Sequence, residues 1–114
     1  MHELSLARDL LAAIERNLDR PGLRVVRVNL SVGSASGVAS DSLRFAFRAL
    51  AEGTCANGAE LAIATVPARC RCGNCGTVFD FGAMIGHCPA CARLGGELVS
   101  GNEMLLQAIE VTDV

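Results

Sequence analysis

The 114-residue sequence predicts an α+β fold: a three-stranded sheet with two helices, plus a small inserted module. Three observations lead there. Two stretches repeat apolar residues at the three-and-four spacing of a helix face. Three short stretches alternate, or collect aliphatic and β-branched residues, as strands do. Between the second and third of these, residues 69–95 lose both periods and become rich in Cys and Gly. Apolar residues reach 51% of the chain, so a core can be buried; with Phe45, Phe47, Phe79 and Phe81 as the only aromatics, Leu, Val, Ile and Ala must build it.

Residues 3–19 form the first expected helix, with Leu4, Ala7, Leu11, Ile14 and Leu18 along one face. Glu3 sits where a carboxylate favours a helix start, and Pro21-Gly22 is the stop. A strand follows in which Val26, Val28, Leu30 and Val32 alternate with Arg27, Asn29 and Ser31. Residues 33–40 lack the G-K-[ST] ending of a phosphate-binding loop and read as a flexible connector. Ser40 and Asp41 are placed to cap a second helix whose apolar face is Leu43, Ala46, Phe47, Leu50 and Ala51. Gly53 and Asn57-Gly58 break the chain, and residues 60–67 read as a strand with Leu61, Ile63 and Thr65 on one face. Residues 103–112 return to strand character through Leu105, Leu106, Ile109 and Val111. Residues 1–68 and 96–114 are therefore expected to make one α/β domain, with residues 69–95 inserted between two of its strands.

The formal net charge is -2, and all ten cations are scattered arginines. That balance gives no global attraction to nucleic acid or to an anionic membrane. The opening residues lack the basic region and long apolar stretch of a signal peptide, and no run of about 18 apolar residues exists. The expectation is a cytoplasmic chain whose six cysteines stay reduced, which favours metal over disulfides.

The sequence carries Cys72-Gly-Asn-Cys75-Gly76 and Cys88-Pro-Ala-Cys91, with twelve residues between Cys75 and Cys88. Two residues between cysteines let both sulfurs of a tight turn face one ion, and backbone N–H groups of the turn can donate to them. Two such knuckles close a tetrahedral shell of four sulfurs with no position open to a substrate, the pattern of structural zinc. Residues 69–95 thus read as a zinc-ribbon-like module held by Cys72, Cys75, Cys88 and Cys91, since zinc–thiolate bonding can offset the ordering entropy of a segment with almost no core. Iron fits the same shell, and two separate redox pairs would each need an activated thiolate. Cys70 reads as a spare thiol at a strand end, although its C-x-C with Cys72 makes it a competing ligand. Cys55 reads as buried or idle. His87 is either a hydrogen-bond donor to a zinc thiolate or a spectator.

His2 has two readings as well. It is a solvated chain end, or its imidazole joins the terminal amine and the backbone nitrogens of His2 and Glu3 around one ion. Such nitrogen sets suit square-planar nickel(II) or copper(II).

The opening Met-His-Glu-Leu-Ser-Leu-Ala, the alternating strand at residues 26–32 leading to Gly33, and Ser42-Leu43-Arg44-Phe45-Ala46-Phe47 resemble the HypA/HybF family. So do the two C-x-x-C pairs followed by a strand, and the resemblance runs the length of the chain in order. Its members are nickel metallochaperones of [NiFe]-hydrogenase maturation, and some also serve urease. The resemblance implies that His2 is the essential nickel ligand, aided by backbone nitrogens of Met1, His2 and Glu3. It implies an amide nitrogen and a carboxylate from Glu3, and it makes Asp41 the candidate for an acidic residue that some relatives place near the nickel at the start of the second helix. It implies zinc on the four cysteines, with Cys70 outside the ligand set. It implies no enzymatic reaction. The expected partners are a HypB-type GTPase, a [NiFe]-hydrogenase large subunit and, for some relatives, urease maturation proteins, with monomer and homodimer both open. The rival reading is a zinc-ribbon module that binds protein or nucleic acid. Arg69, Arg71 and Arg93 are its only cations, opposed by Asp80 and Glu97, where phosphate binding needs a concentrated basic face. A metalloenzyme would need an open coordination position and a convergent acid–base set.

Overall fold

In the computed structural model, residues 2–80, 87–93 and 95–113 are described. Helix α1 spans His2–Arg16 and buries Ala7, Leu10 and Ile14. That stripe is rotated from the expected one. Leu10 takes its centre, Leu11 stands on the flank, and Leu4 is 48% exposed. The helix ends where Asn17 folds back, its side-chain amide donating to the Ala13 carbonyl at 2.7 Å.

Strand β1 covers Leu23–Gly33 and gives the first core Leu23, Val25, Val28 and Leu30. The expected alternation holds from Val28 onward but not before it. Val26 and Arg27 are both exposed, and Val25 is the buried residue. The pattern slips by one position there, as it does where a strand carries an extra residue.

Helix α2, Ser40–Ala51, buries Leu43, Phe47 and Ala51 at every fourth position and packs against α1. Each such side chain contributes about 1.5–3 kcal/mol when fully buried, Ala51 less. Its cap differs from expectation. Ser40 and Asp41 lie inside the first turn, and the N-cap residue is Ala39, whose side chain cannot cap. Instead the Ala39 N–H donates to the Glu3 carboxylate at 3.1 Å, so a side chain of α1 performs the service. The bond is one half of a capping box, supplied from another element.

Strands β2, Glu60–Val66, and β6, Met104–Asp113, flank β1 in a three-stranded sheet of order β2-β1-β6. Charges and amides tie its polar side together. Arg27 reaches Glu60 at 3.1 Å and Glu110 at 3.9 Å, Asn29 donates to Glu110 at 3.1 Å, and Gln107 donates to Ser31 at 3.0 Å.

Two units follow from the contacts: residues 1–31, 38–64 and 105–114, and residues 32–37 with 65–104. The second contains a sheet that no periodicity announces. Strands β3 (Arg69–Arg71), β4 (Val78–Asp80) and β5 (Glu97–Ser100) pair in the order β4-β3-β5, antiparallel. Cys70 stands opposite Phe79 on one side and Leu98 on the other, so each strand offers one residue to a small core. Arg69 and Asp80 face one another as an ion pair of 3.3 Å.

The connector after β1 is not loose. The Gly33 N–H donates to the Glu103 carbonyl (2.8 Å), Ser34 N–H to Val66 (2.9 Å) and Ala35 N–H to Gly101 (2.7 Å). Ser34 Oγ accepts from the Ala68 N–H at 2.9 Å, and Ser36 Oγ donates to the Gly33 carbonyl at 2.7 Å. Polar small residues that look like a flexible stretch supply the bonds that fix it. Among the described residues, no helix is long and apolar enough to cross a membrane.

Candidate metal centre

Two copies of one turn build the cysteine cluster. In the first, the Cys72 N–H donates to the Thr77 carbonyl (2.8 Å) and the Gly76 N–H to that of Cys72 (3.0 Å). In the second, the Cys88 N–H donates to Arg93 (2.9 Å) and the Ala92 N–H to Cys88 (2.8 Å). Each turn also aims an N–H at its first sulfur: Asn74 to Cys72 Sγ and Ala90 to Cys88 Sγ, both at 3.4 Å.

The match extends to backbone dihedrals. Gly76 has φ +78°, and Ala92 at the equivalent place has φ +65°. A Cβ in the left-handed region costs about 1–2 kcal/mol. Ala92→Gly is therefore expected to stabilise the zinc-loaded chain by a net about 0.5–1 kcal/mol, once the extra freedom of unfolded glycine is subtracted. A denaturant midpoint that rises checks this.

The four sulfurs of Cys72, Cys75, Cys88 and Cys91 lie within 4.8 Å of one another. Cys72–Cys91 and Cys75–Cys88 stand at 3.6 Å. Zinc–sulfur bonds of about 2.3 Å in a tetrahedron separate sulfurs by about 3.8 Å, so the arrangement fits the ion. Asn74 adds a side-chain N–H 3.6 Å from Cys91 Sγ, and Thr77 Oγ1 lies 3.2 Å from Cys75 Sγ. Neither residue stands out in composition, and the second knuckle has Ala90 and Arg93 in their places. Cys70 is outside the cluster, buried beside Phe79 in the module core. Cys55 is half-buried and free, and His87 is exposed.

The cysteines are not equivalent. The Thr77 hydroxyl and backbone, with help from Cys88, pull the Cys75 thiol down to about 6. Backbone N–H groups of Cys75 and Asn74 lower Cys72, while burial pushes Cys88 up. In zinc-free, reduced protein at about pH 7, iodoacetamide is expected to label exposed Cys75 first and buried Cys88 last. Cys75 should lose its lead as pH falls below about 6, where its thiolate takes a proton. Peptide mapping by mass spectrometry reads the order.

The second candidate cluster lies at the first turn of α1. His2 is exposed, and its Nε2 stands 3.2 Å from Glu3 Oε2. Glu3 is only 17% exposed and accepts from the Ala39 N–H, which holds its carboxyl below the ordinary carboxylate range. The start of α2 is thereby fixed to the residue that follows His2. Asp41 is fully exposed and pairs with Arg44 at 3.3 Å. Met1 lies outside the described residues. Within the module, Arg69 is paired and Arg71 stands opposite Glu97, so the described residues form no concentrated basic face.

A family model described as hydrogenase/urease nickel incorporation, metallochaperone, HypA matches residues 1–111. The hydrogenase maturation factor HypA of Geobacter sulfurreducens is 40% identical over 111 residues, covering 97% of this chain and 99% of that protein. That of Dehalococcoides mccartyi is 40% identical over 114 residues, covering 99% and 96%. The solution structure of the Ni metallochaperone HypA from Helicobacter pylori superposes with a TM-score of 0.70 at 25% identity, over 98% of both chains. A second solution structure, of HypA protein, gives 0.71 at 28% identity, over 98% of this chain and 97% of that one.

Proposed function

The chain belongs to the HypA family of hydrogenase/urease nickel-incorporation metallochaperones, and from that premise we propose that it binds nickel(II) at His2 and delivers it during [NiFe]-hydrogenase maturation. It is a metallochaperone, not an enzyme. One observation carries the placement of the cargo: an exposed imidazole beside a carboxylate that a backbone N–H keeps anionic and in position. With nickel bound, the His2 imidazole and the backbone nitrogens of Met1, His2 and Glu3 would supply the kind of all-nitrogen donor set that selects nickel over zinc. Glu3 lies close enough to join it or to orient the ring, and Asp41 supplies further negative charge at the start of α2. An exposed site lets a recipient attack the ion, so uptake and release are both served. The recipient is the hydrogenase large subunit, and a HypB-type GTPase supplies the nickel or gates its release.

In this reading the four cysteines hold zinc, which supplies cross-linking rather than chemistry. Cys72 and Cys75 present one knuckle and Cys88 and Cys91 the other, and the N–H donors of Asn74 and Ala90 balance charge on the sulfurs.

Nickel titration of the native-start protein and of His2→Ala tests the placement. The variant is expected to lose nickel affinity by about 100-fold or more while keeping its zinc. Undiminished nickel affinity would remove His2 from the function.

A further inference from the structure

Beside the cysteine cluster lies a cleft of about 200 Å³ lined by Cys72, Gly73, Asn74, Arg93, Gly95 and Gly96. One of its lining residues, Cys72, belongs to the cluster and is itself only 3% exposed. One wall is bare backbone of necessity. Gly96 has φ +148°, and a Cβ there would come 2.7 Å from the Arg71 carbonyl oxygen. Arg93 is the only charged side chain among the described residues that line the cleft. It has no carboxylate partner among them, whereas Arg69 is paired with Asp80 and Arg71 stands opposite Glu97. The root of the Arg93 side chain is fixed, because its carbonyl accepts from the Cys88 N–H inside the second knuckle.

A guanidinium offers a planar fork of donors that grips a carboxylate with two parallel bonds. Placed at a cleft lined by a residue of the cysteine cluster, it serves an incoming anion. We propose that this cleft is the port by which a small carboxylate-bearing chelator reaches the metal cluster from the Cys72 side, with Arg93 as its anchoring residue. The inference rests on the reading that the four cysteines hold zinc. In the exchange, a carboxylate oxygen of the incoming ligand replaces the Cys72 sulfur, which takes a proton from water; no electron moves.

The test follows zinc transfer from the full-length, zinc-loaded protein to EDTA, an anionic polycarboxylate, and to TPEN, a neutral chelator. At low salt, Arg93→Gln is expected to slow transfer to EDTA about five-fold and to leave transfer to TPEN unchanged. High salt should erase the difference. Arg71→Gln removes the same charge outside the cleft and should leave both rates near the parent values. Gly73→Leu narrows the cleft from another side at constant charge. A Cβ at Gly73 meets nothing within 4 Å, and Pro89 occupies the equivalent place in the second knuckle, so the turn accepts a side chain there. This variant should also slow transfer to EDTA. Equal slowing by Arg71→Gln would replace the port with a general field effect. Equal change with both chelators would replace it with altered cluster stability. A parent protein that takes up no zinc shows no transfer at all, which overturns the underlying reading instead.

Discussion

Cys88→Ser is expected to empty the module of zinc and to unfold residues 65–104. Cys88 has no exposed surface and sits in a core that otherwise holds Cys70, Cys72 and Phe79, with Cys91 and Leu98 packed against it. Burial raises its pKa, so only a bound cation makes it a thiolate at neutral pH. Binding of a structural zinc supplies about 10 kcal/mol or more. The apolar side chains of this core give only about 2 kcal/mol each, against about 1–2 kcal/mol of backbone entropy for every residue ordered. Without the metal the balance reverses. Metal analysis should show zinc falling from one equivalent to near none. Hydrogen exchange should show protection lost in β3, β4 and β5 but kept in α1 and β1, which have their own core. Cys70→Ala is the matched control, because that sulfur packs in the core without joining the cluster, and it should retain zinc. Protection that survives in zinc-free Cys88→Ser would mean that the small core suffices.

Gly33→Ala should be strongly damaging although it adds a single methyl. The added Cβ would overlap the Gly101 carbonyl group and approach the Asn102 nitrogen to 2.6 Å. All of these are backbone atoms, so no rotamer change relieves the clash. The same segment carries the hydrogen bonds from Gly33, Ser34 and Ala35 to residues 103, 66 and 101. A shift that makes room for the methyl breaks one or more of them. The expected cost is about 3 kcal/mol or more, a fall in Tm on the order of 15 °C by circular dichroism. Gly73→Ala provides the contrast, because its Cβ meets nothing within 4 Å and should leave the melt unchanged.

The two helices, the three long strands and the cysteine cluster were legible in the sequence because each depends on a local rule. Apolar spacing marks a helix face, and two residues between cysteines place both sulfurs on one ion. What escaped was set by contacts across the chain. The phase slip at Val26 and Arg27 depends on how β1 meets its neighbours, and alternation alone assigned Val26 to the wrong side. The cap of α2 was sought in Ser40 and Asp41, but its bond comes from Glu3, distant in sequence. Strands β3, β4 and β5 are three or four residues long, too short for any period to show. Residues 33–36 looked like a connector because their composition is that of a loop; the partners that fix them are supplied by residues 66–68 and 101–103. At the chain start, His2 and Glu3 were visible as a pair, while their tie to Ala39 was not.

The charged side of the first sheet bears on how these molecules meet in a crowded solution. Arg27 on the middle strand reaches carboxylates on both outer strands. A second sheet laid flat there would have to strip water from three charges at once, at a cost that scattered apolar contacts do not repay. The face therefore resists stacking without a covering layer, and charge removal at Arg27 would be felt first as lost colloidal stability, in turbidity at high protein concentration, before it registered as lost folding.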